Sequence, residues 1–96
     1  MEIRAMLRRA LEPFAPQLAG YRVFLFGSRA AGQARPRSDF DVGVMGSQPL
    51  PVKLYSDIED AFDALPTLYR IDWVDFNQVS PLFRERAMQQ VEVLYE

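Results

Sequence analysis

Two apolar runs, parted by a Gly-Ser break and rejoined through a pair of aspartates, constrain this chain more than any other feature. Val23-Phe24-Leu25-Phe26 reads as a buried strand. Gly27-Ser28 interrupts it. A short connection containing Gly and Arg follows, and Asp39-Phe40-Asp41 opens a second apolar run. Side chains along a strand alternate between its faces. Asp39 and Asp41 therefore share one face, and Phe40, Val42 and Val44 share the other. Two neighbouring carboxylates repel, and each raises the other's pKa unless a cation lies between them. Hard oxygen donors of this kind suit Mg²⁺ or Mn²⁺.

The Gly-Ser end supplies a complementary part. Glycine lets the backbone come close to a ligand. If Ser28 to Ala31 begins a helical turn, its free N–H groups aim at one spot, and such a spot attracts phosphate. One end of the stretch then suits a phosphate tail, and the other suits the metal that such a tail brings.

Gly-Ser, a spacer of about ten residues and Asp-x-Asp on a strand resemble the signature of the DNA polymerase β-type nucleotidyltransferase superfamily. More narrowly, Gly27-Ser28-Arg29-Ala30, Gly32, Ala34 and Ser38-Asp39-Phe40-Asp41 resemble the minimal nucleotidyltransferases of prokaryotes, many of which are antitoxins paired with HEPN-domain toxins. The resemblance runs from about Val23 to Tyr95. It implies a polymerase β-like α/β (α+β) fold and two Mg²⁺ (or Mn²⁺) ions with ATP as substrate. It also implies transfer of AMP to a Tyr hydroxyl on a HEPN toxin. Many relatives read Gly-Ser-Arg-Ala-Arg-Gly, and this chain has Ala31 where the second Arg would stand. One candidate cation for the triphosphate is missing.

The chain has 96 residues and reads as one domain, 1–96. It contains no Cys, which excludes disulfides and thiolate chemistry, and no His, which removes the commonest general base. Catalysis would have to run on carboxylates, hydroxyls, Arg and metal. The formal net charge of -2 gives no overall footprint for nucleic acid. No apolar run is long enough to span a membrane, and the N-terminus lacks the apolar core of a signal peptide, so a cytoplasmic location is expected.

The rest reads in order. Ile3, Met6, Leu7, Ala10 and Leu11 fall at helical spacing over Glu2–Glu12, with Pro13 and Pro16 ending the helix. Strands are expected at 22–26 and 39–45. A helix over 52–65 has Leu54, Ile58, Ala61, Phe62 and Leu65 as its stripe. A third strand spans 68–76. Ser80-Pro81 reads as a cap and first position of a last helix running to about Gln90, followed by a short strand over 91–95. The pattern predicts a small mixed sheet covered by helices.

Nucleotidyl transfer needs a third carboxylate to receive the acceptor hydroxyl and lower its pKa through the metal. Asp72 and Asp75 compete for that role, and their odd spacing places them on opposite faces. Asp72, between Ile71 and Trp73, matches the apolar-Asp-apolar pattern of the family's third acid; the plain alternative pairs it with Arg70. The expected catalytic and metal-holding residues are Asp39, Asp41 and Asp72. Gly27, Ser28, Arg29 and Ser38 are expected to bind the nucleotide, Arg29 because its fork matches phosphate oxygens. Arg35 and Arg37 read as surface charges.

Three functions compete. The leading one is a metal-dependent protein adenylyltransferase. The second is a binding antitoxin with a weak site, favoured by Ala31 and small size. The third, an antibiotic- or nucleic-acid-modifying enzyme, lacks both a substrate-binding domain and a basic surface. A HEPN-type partner, or failing that a homodimer, is expected through part of the set Tyr55, Tyr69, Trp73, Phe83 and Tyr95.

Overall fold

In a computed structural model, residues 2–33 and 38–96 are described. Arg35 and Arg37, read above as surface charges, and Ala34 lie outside them. The elements are α1 (Ile3–Leu11), a 3₁₀ segment (Glu12–Leu18), β1 (Arg22–Phe26), β2 (Phe40–Met45), α2 (Val52–Asp63), β3 (Ile71–Asp75), α3 (Pro81–Ala87) and β4 (Glu92–Tyr95). The strands form one mixed sheet in the order β3-β2-β1-β4. β1 runs antiparallel to β2 and to β4, and β2 runs parallel to β3. The expected mixed sheet with helical cover is what forms.

Register assigns the faces. Leu25 pairs with Val42 and Val23 with Val44, so these four point one way. Phe40, Trp73 and Leu94 join them, and Leu7, Leu11, Leu54, Ile58 and Phe62 of α1 and α2 close the layer as the main core. The other face carries a smaller aromatic core of Phe24, Phe26 and Phe76, against which Val74, Val79, Ala87 and Met88 pack. Phe76 meets both phenylalanines edge-on at 4.9 Å between centroids. Gly43 makes room for two of these rings: a Cβ there would stand 2.7 Å from atoms of both Phe24 and Phe76.

β3 is an edge strand, whose unpaired backbone invites pairing with other chains. Tyr55 and Trp73 blunt it. The Tyr55 hydroxyl donates to the Trp73 carbonyl at 2.7 Å, and Trp73 Nε1 donates to the Tyr55 carbonyl at 3.2 Å. Trp73 is thereby core, which removes it from the set expected at an interface. Tyr55 and Tyr95 are half-buried, and Tyr69 (39% exposed) and Phe83 (43%) keep open surface.

Three boundaries differ from the sequence reading by two residues or more. β3 begins at Ile71 rather than Leu68, because its partner offers nothing earlier: the first pair is Phe40 with Ile71, and Leu68 is fully exposed. α3 has its Ser80 cap, whose hydroxyl accepts from Phe83 N at 3.2 Å, but stops at Ala87. α2 ends at Asp63, two residues early.

Candidate active site

Asp41 takes its position from two pairings. It sits opposite Phe26 on β1 and opposite Asp72 on β3. Cross-strand partners share a face, so Asp41 and Asp72 lie side by side on the α3 side of the sheet, beyond the aromatic core. Both line one cleft of about 730 Å³, with Phe26, Phe83, Tyr69 and Arg70 among its walls. The Asp41 carboxyl is pushed up to about 6, first by burial, then by the Asp72 and Asp39 charges and a hydrogen bond to Asp72.

Asp39 is exposed and lies one residue before β2 begins. It is near enough to act on Asp41 by charge. Among the described residues, no three acidic side chains already surround one point as metal ligands would. Asp72 also pairs with exposed Arg70, Nε to Oδ1 at 3.1 Å. The plain alternative for Asp72 therefore coexists with its place beside Asp41; an exposed pair of this kind holds weakly.

Asp75, the competitor, points into the opposite layer and is 7% exposed. Its two oxygens accept the N–H groups of Leu50 and Asn77, both at 2.9 Å, and so pin two loops. Its carboxylate is fully engaged in structure.

Gly27 has φ +71°, a conformation other residues adopt at a cost, and a Cβ there would stand 2.5 Å from Asp41 Oδ2. Residues 28–32 turn once: Ala31 N–H donates to Gly27 O at 3.1 Å and Gln33 N–H to Ser28 O at 3.0 Å. The segment makes one turn and does not continue into a helix. Gly27 and Ser28 line a second cleft of about 670 Å³, between the turn and α3, with Phe26, Leu82, Phe83 and Arg86. Phe26 and Phe83 border both clefts, so the two are neighbours.

Arg29 does not line either cleft. Its Nη2 donates to the Ser38 carbonyl at 2.7 Å, and its guanidinium lies 4.2 Å over the Phe40 ring and 5.1 Å from that of Tyr69. The structure thus sets the phosphate partner expected from the sequence behind the site, against Ser38 and two rings. The reason is that a planar guanidinium suits an aromatic face as well as a phosphate. Ser38 engages through its carbonyl. Arg86, which the sequence reading passed over, faces the Gly27–Ser28 cleft from the last turn of α3. Only its helical spacing from Phe83, at (i, i+3), offered a signal.

The donors suit a hard divalent cation: carboxylate oxygens and a crowded acid pair whose repulsion an ion would relieve. Comparison with known proteins agrees with this chemistry. The family described as polymerase beta, nucleotidyltransferase, matches residues 19–96. The chain belongs to this nucleotidyltransferase family. It is similar to the Haemophilus influenzae protein named "Probable protein adenylyltransferase MntA", with 29% identity over 92 residues, covering 96% of this chain and 78% of that one. Among solved structures, a candidate minimal nucleotidyltransferase superposes with a TM-score of 0.60 at 26% identity, covering 93% of this chain and 89% of that one. A toxin-antitoxin complex with AMP-PNP superposes at 0.63 and 21% identity, covering 96% and 72%. A minimal-nucleotidyltransferase antitoxin in complex with tri-AMPylated Shewanella oneidensis HEPN toxin superposes at 0.57 and 17%, covering 96% and 71%. The nucleotidyltransferase fold is common to all. Among the described residues, no helix is long and apolar enough to cross a membrane.

Proposed function

We propose that this nucleotidyltransferase moves AMP from ATP to a hydroxyl, and that the acceptor is a Tyr of a HEPN-domain partner in the cytoplasm. The observation that carries the proposal is the direct pairing of Asp41 with Asp72, with Asp41 against Gly27 of the Gly27–Ser28 turn. Support for the acceptor comes from the similar proteins: one is named an adenylyltransferase, and another is bound to an AMPylated HEPN toxin.

Asp39, Asp41 and Asp72 would hold two Mg²⁺ or Mn²⁺ ions. When bound, such ions neutralise the reacting phosphate oxygens and acidify the acceptor hydroxyl. Asp39 stands apart and would have to be drawn in. Gly27 and Ser28 bind the β- and γ-phosphates through the turn's N–H groups and the Ser hydroxyl. Arg86 provides the cation that Ala31 does not. Asp72 receives the acceptor's proton. The acceptor oxygen forms a bond to the α-phosphorus while the bond from that phosphorus to the bridging oxygen breaks, and pyrophosphate leaves.

Label position tests this. With a HEPN-domain partner and Mg²⁺, label from the α-phosphate of ATP should enter the partner and label from the γ-phosphate should not. Entry of γ-label would mean a kinase, and entry of neither would favour the second reading, an antitoxin that acts by binding. Ala31 is the observation that keeps the second reading alive.

A further inference from the structure

We propose that Arg29 is a positioning residue for the metal site: it holds the residues on both sides of Asp39, Ser38 by its carbonyl and Phe40 by its ring. The inference rests on the reading of Asp39 and Asp41 as metal-holding groups.

Among the described residues, neither strand ladder reaches Asp39. The β1–β2 ladder ends with the pair Phe26–Asp41, and the β2–β3 ladder begins with Phe40–Ile71. Residue 39 falls outside both. Arg29 takes over where the ladders stop. Its Nη2 bonds the carbonyl of Ser38, immediately before Asp39, and its guanidinium stacks on the ring of Phe40, immediately after. Phe40 is itself buried and bonded, its N–H donating to the Arg70 carbonyl at 2.9 Å. Asp39 acts by charge on Asp41, while the Phe40 ring lies in the main core on the other face. Holding the Phe40 ring from behind therefore limits how far residue 39 can move relative to Asp41.

The same guanidinium reaches a third segment. Tyr69 lies 5.1 Å from it and meets Phe40 edge-on at 5.1 Å. Tyr69 precedes the start of β3 by two residues and Asp72 by three. Arg29 begins in the Gly27–Ser28 turn. One side chain thus joins the phosphate turn, the approach to Asp39 and the approach to Asp72. Lysine could not replace it in full, since an ammonium has no plane to lay on a ring while bonding a carbonyl at its edge.

Outer groups that orient metal ligands change metal affinity by about 10- to 100-fold when removed. The test is Mn²⁺ affinity in the presence of saturating AMP-PNP, read by the electron paramagnetic resonance of free Mn²⁺, with thermal unfolding alongside. Arg29→Met should bind Mn²⁺ about tenfold more weakly and Arg29→Lys should recover part of the loss. A role confined to stability would lower Tm in Arg29→Met and leave Mn²⁺ affinity at the wild-type value, and that result overturns the proposal. Asp41→Asn separates the two levels. If Asp41→Asn binds Mn²⁺ like the wild type, the metal-site reading itself fails. If Asp41→Asn loses Mn²⁺ and Arg29→Met does not, the positioning role alone fails. Should Arg29→Met not fold, Tyr69→Leu removes the more exposed ring and should weaken Mn²⁺ binding about threefold, a smaller loss than that of the full contact; unchanged affinity there overturns the proposal equally.

Discussion

Gly27 and Asp41 compete for one volume. A Cβ at residue 27 would stand 2.5 Å from Asp41 Oδ2, and the backbone there is already left-handed. The carboxylate can lie against the Gly27–Ser28 turn only because residue 27 has no side chain. Gly27→Ala should therefore displace Asp41 and strain the turn, destabilising the protein by about 1–3 kcal/mol. Thermal unfolding measures the strain. AMP transfer should fall further than the loss of folded protein explains.

The raised Asp41 pKa predicts a pH effect with a definite sign. Its carboxyl moves from 3.8 unfolded to about 6 folded. Between those values the folded protein binds more protons than the unfolded one, so this contribution to stability is complete below pH 4 and is lost as pH rises to 6. Without metal, wild type should lose stability relative to Asp41→Asn over that window. Stabilisation by Mg²⁺ should grow over the same window, because the ion needs the deprotonated pair. Chelated and Mg²⁺-loaded melting curves from pH 4 to 8 give both slopes.

Asp72 and Asp75 should separate cleanly under mutation. Asp72→Asn relieves repulsion and should fold as well as wild type while losing AMP transfer by at least about a hundredfold, the usual scale for a proton acceptor. Asp75→Asn weakens the acceptors for two backbone N–H groups and should cost about 1–3 kcal/mol of stability. Chemical unfolding and initial rates of both variants check this. Equal folding defects would contradict the division of roles.

Arg86→Ala should raise KM for ATP by about tenfold, as loss of one charge-assisted contact implies, with little change in stability. Ala31→Arg in the same background should restore part of the affinity. Nucleotide titration calorimetry reads the change directly.

Much of this arrangement was legible in the chain. β1 was read to its residue limits, and β2 to within one, because the unbroken apolar run Val23–Phe26 and the alternation over Phe40–Val44 are strong and the Gly-Ser break is abrupt. The opposite facing of Asp72 and Asp75 followed from strand period alone. What stayed hidden depends on tertiary partners. Leu68 has strand chemistry, yet no neighbour strand reaches it. Arg29 fits phosphate and ring faces equally well until Phe40 and Tyr69 are brought together. Arg86 looks like any solvated helix residue until α3 lies beside the Gly27–Ser28 turn. Trp73 and Tyr55 look like candidates for a partner until each is seen to bond the other's backbone.

On the proposed function, the Asp41–Asp72 pair drives AMP transfer to a protein hydroxyl. The most direct measurement is the intact mass of a HEPN-domain partner after incubation with this chain, ATP and Mg²⁺, beside an identical incubation with Asp41→Asn. Wild type should leave the partner heavier by whole adenylyl groups carried on Tyr, and Asp41→Asn should leave it unchanged. An unchanged partner mass with wild type, under conditions where the two proteins form a stable complex, would contradict it.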